Sequence, residues 1–248
     1  MKNFWVNLTA LALVIVVNSL ANIIPINGMT TGEISNQLEV LFTPAGYVFS
    51  IWGLIYLLLA IWVFAQLPKD RQHAPVYRAC SELFWLSSVL NVAWILSWHY
   101  QLFFISNMIM IGLLVTLITL YLRGKKVQAS KLELLPFSIY LGWISVATIA
   151  NISYYLVYLG FGEKESISIF WTIVMIIIAT GLALLFLWRE KDIFYVLVFI
   201  WAFIGIGIKN NAEFNEVAWT AYACALFLFI VVTILTISHQ KNREDTEG

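Results

Sequence analysis

Eight stretches of the chain, each some twenty residues long, are almost purely apolar: residues 4–24, 46–67, 80–100, 103–122, 134–159, 167–188, 193–208 and 217–238. A helix rises about 1.5 Å per residue, so each is long enough to cross a hydrocarbon layer of about 30 Å. Glu82, near one end of the third stretch, is the one Asp, Glu, Lys or Arg inside them. Strands of a membrane barrel would alternate apolar and polar residues; runs such as 173–187 do not. The fold class expected is therefore an all-α integral membrane protein with about eight spans. Charged residues make up only 11% of the 248 positions, against about a quarter in soluble domains. That excludes an ordinary cytosolic enzyme, a disordered chain and a nucleic-acid binder working through a basic face.

The basic residues orient the spans. With the N-terminus inside, the inner segments hold Lys2, Lys69, Arg71, Arg78, Arg123, Lys125, Lys126, Lys131, Arg189, Lys191, Lys241 and Arg243, and the outer segments hold only Lys164 and Lys209. This excess matches the positive-inside rule and predicts both termini in the cytoplasm. The expected location is the bacterial cytoplasmic membrane, crossed many times. Lys2, the apolar run 6–17 and the small residues Ser19 and Ala21 also fit a cleaved signal peptide. Asn18 and Asn22 sit awkwardly for that reading.

Familiar chemical motifs are missing. Cys80 falls at the inner end of the third span and Cys224 in the outer part of the eighth, and both read as packed thiols, while His73, His99 and His239 form no ligand cluster. The sequence has no glycine-rich phosphate loop, no nucleophile elbow and no pair of intramembrane carboxylates. A proton-coupled pump normally buries an acid in its spans.

Polar and aromatic residues inside the spans are more informative. Asn18, Asn22, Asn91, Asn107 and Asn151 are all expected at the midplane or in the outer half, where each needs a partner. Three stripes recur at helical spacing: Phe49, Trp52 and Tyr56; Ser87, Asn91, Trp94 and Trp98; Tyr140, Trp143, Ala147 and Asn151. One reading makes them packing seams with asparagine as interhelical glue. The other makes them the wall of an outer-half pocket, because Trp52, Trp94 and Trp143 lie deeper than an interfacial belt. The segment 25–45 after the first span has no Lys or Arg, and 34–42 is expected to form a short amphipathic helix capping that pocket. Lys209 is expected at the outer mouth of the seventh span.

These residues resemble the TspO/MBR family, the translocator or tryptophan-rich sensory proteins. That family opens its second helix with a Pro-Pro-Gly-Trp-Val-Phe type phrase followed by Trp and Tyr, similar to TPAGYVFSIWGLIY from Thr43 to Tyr56. Its Asn-x-x-Trp phrase in the third helix resembles LNVAW, and its fifth-helix series resembles PFSIYLGWISVATIAN. The likeness covers residues 4–158. It departs where Ala45 replaces a Pro, where two residues and not three separate Phe49 from Trp52, and where three further helices follow.

The resemblance implies a five-helix bundle over residues 1–160; the apolar runs add three further spans over 161–240, and a cytoplasmic tail is expected at 241–248. It implies a ligand pocket involving Pro44, Gly46, Phe49, Trp52, Tyr56, Asn91, Trp94, Tyr140, Trp143, Ala147 and Asn151. The implied ligand is a porphyrin, haem-like or other hydrophobic small molecule; no cofactor is required. Beyond the lipid bilayer and this ligand, a homodimer is compatible and nucleic acid is not expected. Three functions stay open: binding or sensing of such molecules, their transport, and an enzyme of pigment or lipid metabolism.

Overall fold

The computed structural model describes residues 2–162 and 164–247; the side chains of Lys2 and of residues 239–247, Lys241 and Arg243 included, lie outside the described set. Among the described residues there are helices and turns and no strand. Eight helical segments among the described residues are long and apolar enough to cross a membrane.

The chain divides into two compact units. The first comprises Met1–Val40 and Phe49–Phe161, and the second Leu41–Val48 and Gly162–Gly248. The first unit contains α1 (Lys2–Ile23), the short α2 (Thr31–Ser35), α3 (Ile51–Phe64), α4 (Pro75–His99), α5 (Phe103–Lys126) and α6 (Lys131–Tyr158). α1 packs on α4, α4 on α5, α5 on α6, α6 on α3, and α3 back on α1. Five long helices thus close into a ring, and whatever projects inward from each meets the others. Local chemistry sets several boundaries. Ser130 accepts the Glu133 amide N–H while the Glu133 carboxylate accepts the Ser130 N–H, a capping box that starts α6. Pro75 occupies the first turn of α4, where its missing N–H costs no bond. At this end of the ring, Arg71 and Glu133 form an ion pair at 2.7 Å.

One element differs from expectation. The short helix in this loop is not 34–42 but α2, which begins at Thr31 because Thr30 caps it in a second capping box with Glu33. The run that follows cannot be one face of a helix, since consecutive Val40, Leu41 and Phe42 are all buried.

The second unit contains α7 (Glu165–Glu190), α8 (Ile193–Asn210) and α9 (Asn215–Glu247), each packed on the other two. Small residues let them approach: Ala179, Ala183, Ala202, Ala218 and Ala221 are fully buried. A Cβ on Gly207 would lie 2.4 Å from the Tyr222 ring, so α8 accepts that ring against bare backbone. Lys209 is exposed in the last turn of α8. Leu41–Val48 lies along α8 in this unit, although its sequence neighbours on both sides belong to the first.

Candidate functional site

The aromatic stripe of α3 meets that of α6 inside the ring. Residues Gly46–Ser50 form a 3-10 turn leading into α3. With three residues per 3-10 turn, positions three apart stand nearly above one another. Phe49 and Trp52 consequently share a side despite the short spacing between them, and both present edges to Trp143, at 5.8 and 6.2 Å between ring centroids. Trp52 also stacks on Tyr56 at 5.6 Å and meets Tyr140 edge-on at 5.9 Å. Such pairs contribute about 0.5–1.5 kcal/mol each beyond area burial.

Two hydrogen-bonded groups cross the ring. In the first, Asn18 Nδ2 on α1 donates to Asn91 Oδ1 on α4 at 2.8 Å, and Asn91 Nδ2 donates to the Tyr140 hydroxyl on α6 at 3.0 Å. In the second, Trp94 Nε1 donates to Asn151 Oδ1 at 3.3 Å, and Asn151 Nδ2 donates to Ser106 Oγ on α5 at 3.2 Å. Tyr140 and Asn151 are eleven residues apart on α6, about 16 Å of helix. The predicted stripe is therefore two levels, with Trp143 and Ala147 between them on the same helix. Asn22 and Asn107 bond to carbonyls of their own helices.

Two donors beside the aromatic wall have no hydrogen-bond partner in the protein. They are Trp143 Nε1 and the Tyr56 hydroxyl, both buried atoms. An unmade hydrogen bond in such surroundings costs about 1–3 kcal/mol.

Above the second level lies the loop containing α2, tied down by three residues that sequence spacing did not single out as a group. Trp98 Nε1 donates to the Thr31 carbonyl at 3.4 Å, and the Tyr154 hydroxyl donates to the Ile34 carbonyl at 2.9 Å. His99, only 1% exposed, has Nδ1 3.0 Å from the Ile26 carbonyl and Nε2 3.0 Å from Thr31 Oγ1. A carbonyl can only accept, so the Ile26 contact places a proton on Nδ1 of His99. Asn27, at φ 56°, returns a bond from its Nδ2 to the His99 carbonyl at 3.1 Å.

Pro44 and Gly46 are placed in the second unit, where the Ala45 N–H donates to the Gly205 carbonyl at 3.1 Å. Near the other end of the ring a polar cluster stands where none was expected. Fully buried Asn7 on α1 donates to Gln66 Oε1 at 3.3 Å and to Ser81 Oγ on α4 at 3.0 Å. Both amides lie close to the ends of their apolar runs, where a sequence reading assigns them to water; ring closure buries them. Cys80 is buried and Cys224 half-buried, both as free thiols, and no group of three potential metal ligands occurs among the described residues.

A family model described as TSPO-like protein matches residues 4–234, through all five helices of the ring and on through α7, α8 and most of α9. The three later helices are thus part of what that family description covers. No curated protein and no solved structure matches the chain. With the match extending over nearly its whole length, the chain is a multi-pass membrane protein that belongs to the TSPO-like protein family.

Proposed function

We propose that the ring of α1 and α3–α6 binds a flat, largely apolar small molecule of the porphyrin type. A single observation carries this reading: Trp143 Nε1 and the Tyr56 hydroxyl stand unpartnered in an aromatic wall. A porphyrin-like ligand presents wide π-faces and a few polar edges, which flat aromatic surfaces with sparse donors would accommodate. Phe49, Trp52, Tyr56, Tyr140 and Trp143 supply the wall. Asn91 and Asn151 are held by their partners, ready to meet polar edges at two levels, with Trp94 beside Asn151 and small Ala147 leaving room along α6. The protein is a binding or sensory component in this proposal, and its residues are asked to recognise the ligand and to transform nothing.

Binding of protoporphyrin IX to the purified full chain, measured by equilibrium dialysis, tests it. Trp143→Leu and Asn151→Leu should each weaken binding by about 1–3 kcal/mol with folding retained. Trp143→Phe, which keeps a ring and removes the donor, should weaken it by about 1 kcal/mol. Unchanged affinity in all three folded variants would return the stripes to packing seams.

A further inference from the structure

Leu41–Val48 carries three backbone groups that require partners in an apolar setting, and α8 satisfies all three. Asn210 Nδ2 donates to the Leu41 carbonyl at 2.9 Å, the Ala45 N–H donates to the Gly205 carbonyl at 3.1 Å, and Trp201 Nε1 donates to the Val48 carbonyl at 3.1 Å. The pairing is ordered: as the strap advances from 41 to 48, its partners retreat along α8 from 210 to 201. The Tyr47 ring meets Trp201 edge-on at 5.3 Å. Gly205 makes the approach feasible, since a Cβ there would lie 2.1 Å from Val48 Cγ2 and 3.2 Å from Pro44 Cβ. Val48 is fully buried and stiff at χ1, so it has little room to yield. The need is mutual. Without the strap, α8 would leave an indole N–H unpaired and the Asn210 amide with only its own Ile206 carbonyl, at 2.8 Å.

We propose that α8 is the anchor of the loop over the ring, with Trp201, Gly205 and Asn210 as positioning residues acting through the strap. The strap continues by covalent linkage into the α2 loop on one side and into the Phe49–Trp52 stripe on the other. A displaced strap would pull on both, and this supplies a role for the three later helices. Its relevance to ligand entry rests on the binding role proposed above, whereas the anchoring is a property of the empty protein.

Thiol labelling of the full chain tests the anchor without any ligand. A cysteine is placed in the loop (Ser35→Cys) or in the strap (Thr43→Cys), both buried positions, in a Cys224→Ser background, and maleimide reaction rates are measured. Gly205→Ala should raise the rate at both positions at least tenfold. Adding Val48→Ala, which removes the clashing methyl, should return both to within threefold of the parent. Gly181→Ala, where a Cβ meets nothing within 4 Å, should change neither. If Gly205→Ala fails to fold, Trp201→Phe should raise both rates by at least threefold. A rise at Thr43→Cys alone, no rise at either position, or an equal rise in the Gly181→Ala control overturns the anchor. Failure of protoporphyrin IX to bind would remove the proposed ligand and leave this labelling pattern standing.

Discussion

Inside the five-helix ring, amides and indoles reach from one helix to bond with side chains of another: Asn7 to Ser81, Asn18 to Asn91, Asn91 to Tyr140, Trp94 to Asn151. Among α7, α8 and α9 the contacts are of another kind. Their interior sets fully buried alanines and Gly207 beside large apolar side chains such as Ile176, Phe199 and Phe203, and buried Thr180 bonds to the Ile176 carbonyl of its own helix. Trp201 and Asn210 of α8 reach instead to the backbone of the strap. A directional bond demands one rotational setting of each helix, whereas close approach of small residues demands only a smooth face. The ring is held in register by chemistry that could also meet a ligand, and the second unit by shape.

The largest effect is expected at the centre of the ring. Asn91→Leu removes the link between Asn18 and Tyr140 and strands the Tyr140 hydroxyl, so it should destabilise the protein by about 2 kcal/mol, an estimate for buried groups left unpaired. Thermal unfolding in detergent measures this. A loss of less than about 0.5 kcal/mol, near the average for interhelical bonds in membranes, would erase the contrast between the units.

A smaller loss is expected from Asn210→Leu. That amide spends one bond on its own helix, at the Ile206 carbonyl, and its removal strands only the Leu41 carbonyl, so the same melt should show about 1 kcal/mol or less. Equality with Asn91→Leu would mean that the second unit, too, is held by directional bonds.

The smallest effect is a dependence on acidity. The Thr30 N–H, and secondarily its hydroxyl, hold the exposed Glu33 carboxyl below its ordinary value of 4.5. A depressed carboxyl stabilises α2 fully above that ordinary value, and the contribution is lost as pH falls through the folded-state value. Reaction of Ser35→Cys with 2,2′-dithiodipyridine, which attacks thiols in acid, should therefore accelerate as pH drops below about 4.5, relative to a free thiol. Thr43→Cys should show no such change, since residues 41–48 contain no carboxylate or histidine. Parallel acceleration at both positions would show that the loop and the strap open together and that acid acts elsewhere.

The number of spans was legible because it depends on the length of apolar runs, a property local to each run. The facing of Tyr140, Trp143 and Asn151 was legible for a similar reason, since helical period sets it. Partners were not. Asn91 bonds to Tyr140 because α4 and α6 face each other across a closed ring, and periodicity within one helix carries no information about which helix stands opposite. Burial of Asn7 and Gln66 was not legible either, because both lie near the ends of their apolar runs, where an amide can equally meet water. The loop helix starts three residues before the expected 34 because the Thr30–Glu33 box, and not the apolar content of 34–42, sets its start. The partition of Pro44 and Gly46 to the second unit was illegible in a family phrase that runs without a break into α3.

The strap also sets an order in time. Val48 and Trp201 are 153 residues apart, and Leu41 and Asn210 are 169. At a synthesis rate of about 5–20 residues per second, the strap leaves the ribosome roughly 8–30 s before its partner helix exists. α1 precedes the strap and the other four ring helices emerge in that interval, so all five can associate before α8 is made. The strap is then fastened only after the ring can form, so any slowing of translation between the sixth span and the end of the seventh would lengthen the life of an assembled ring whose strap has nothing to hold.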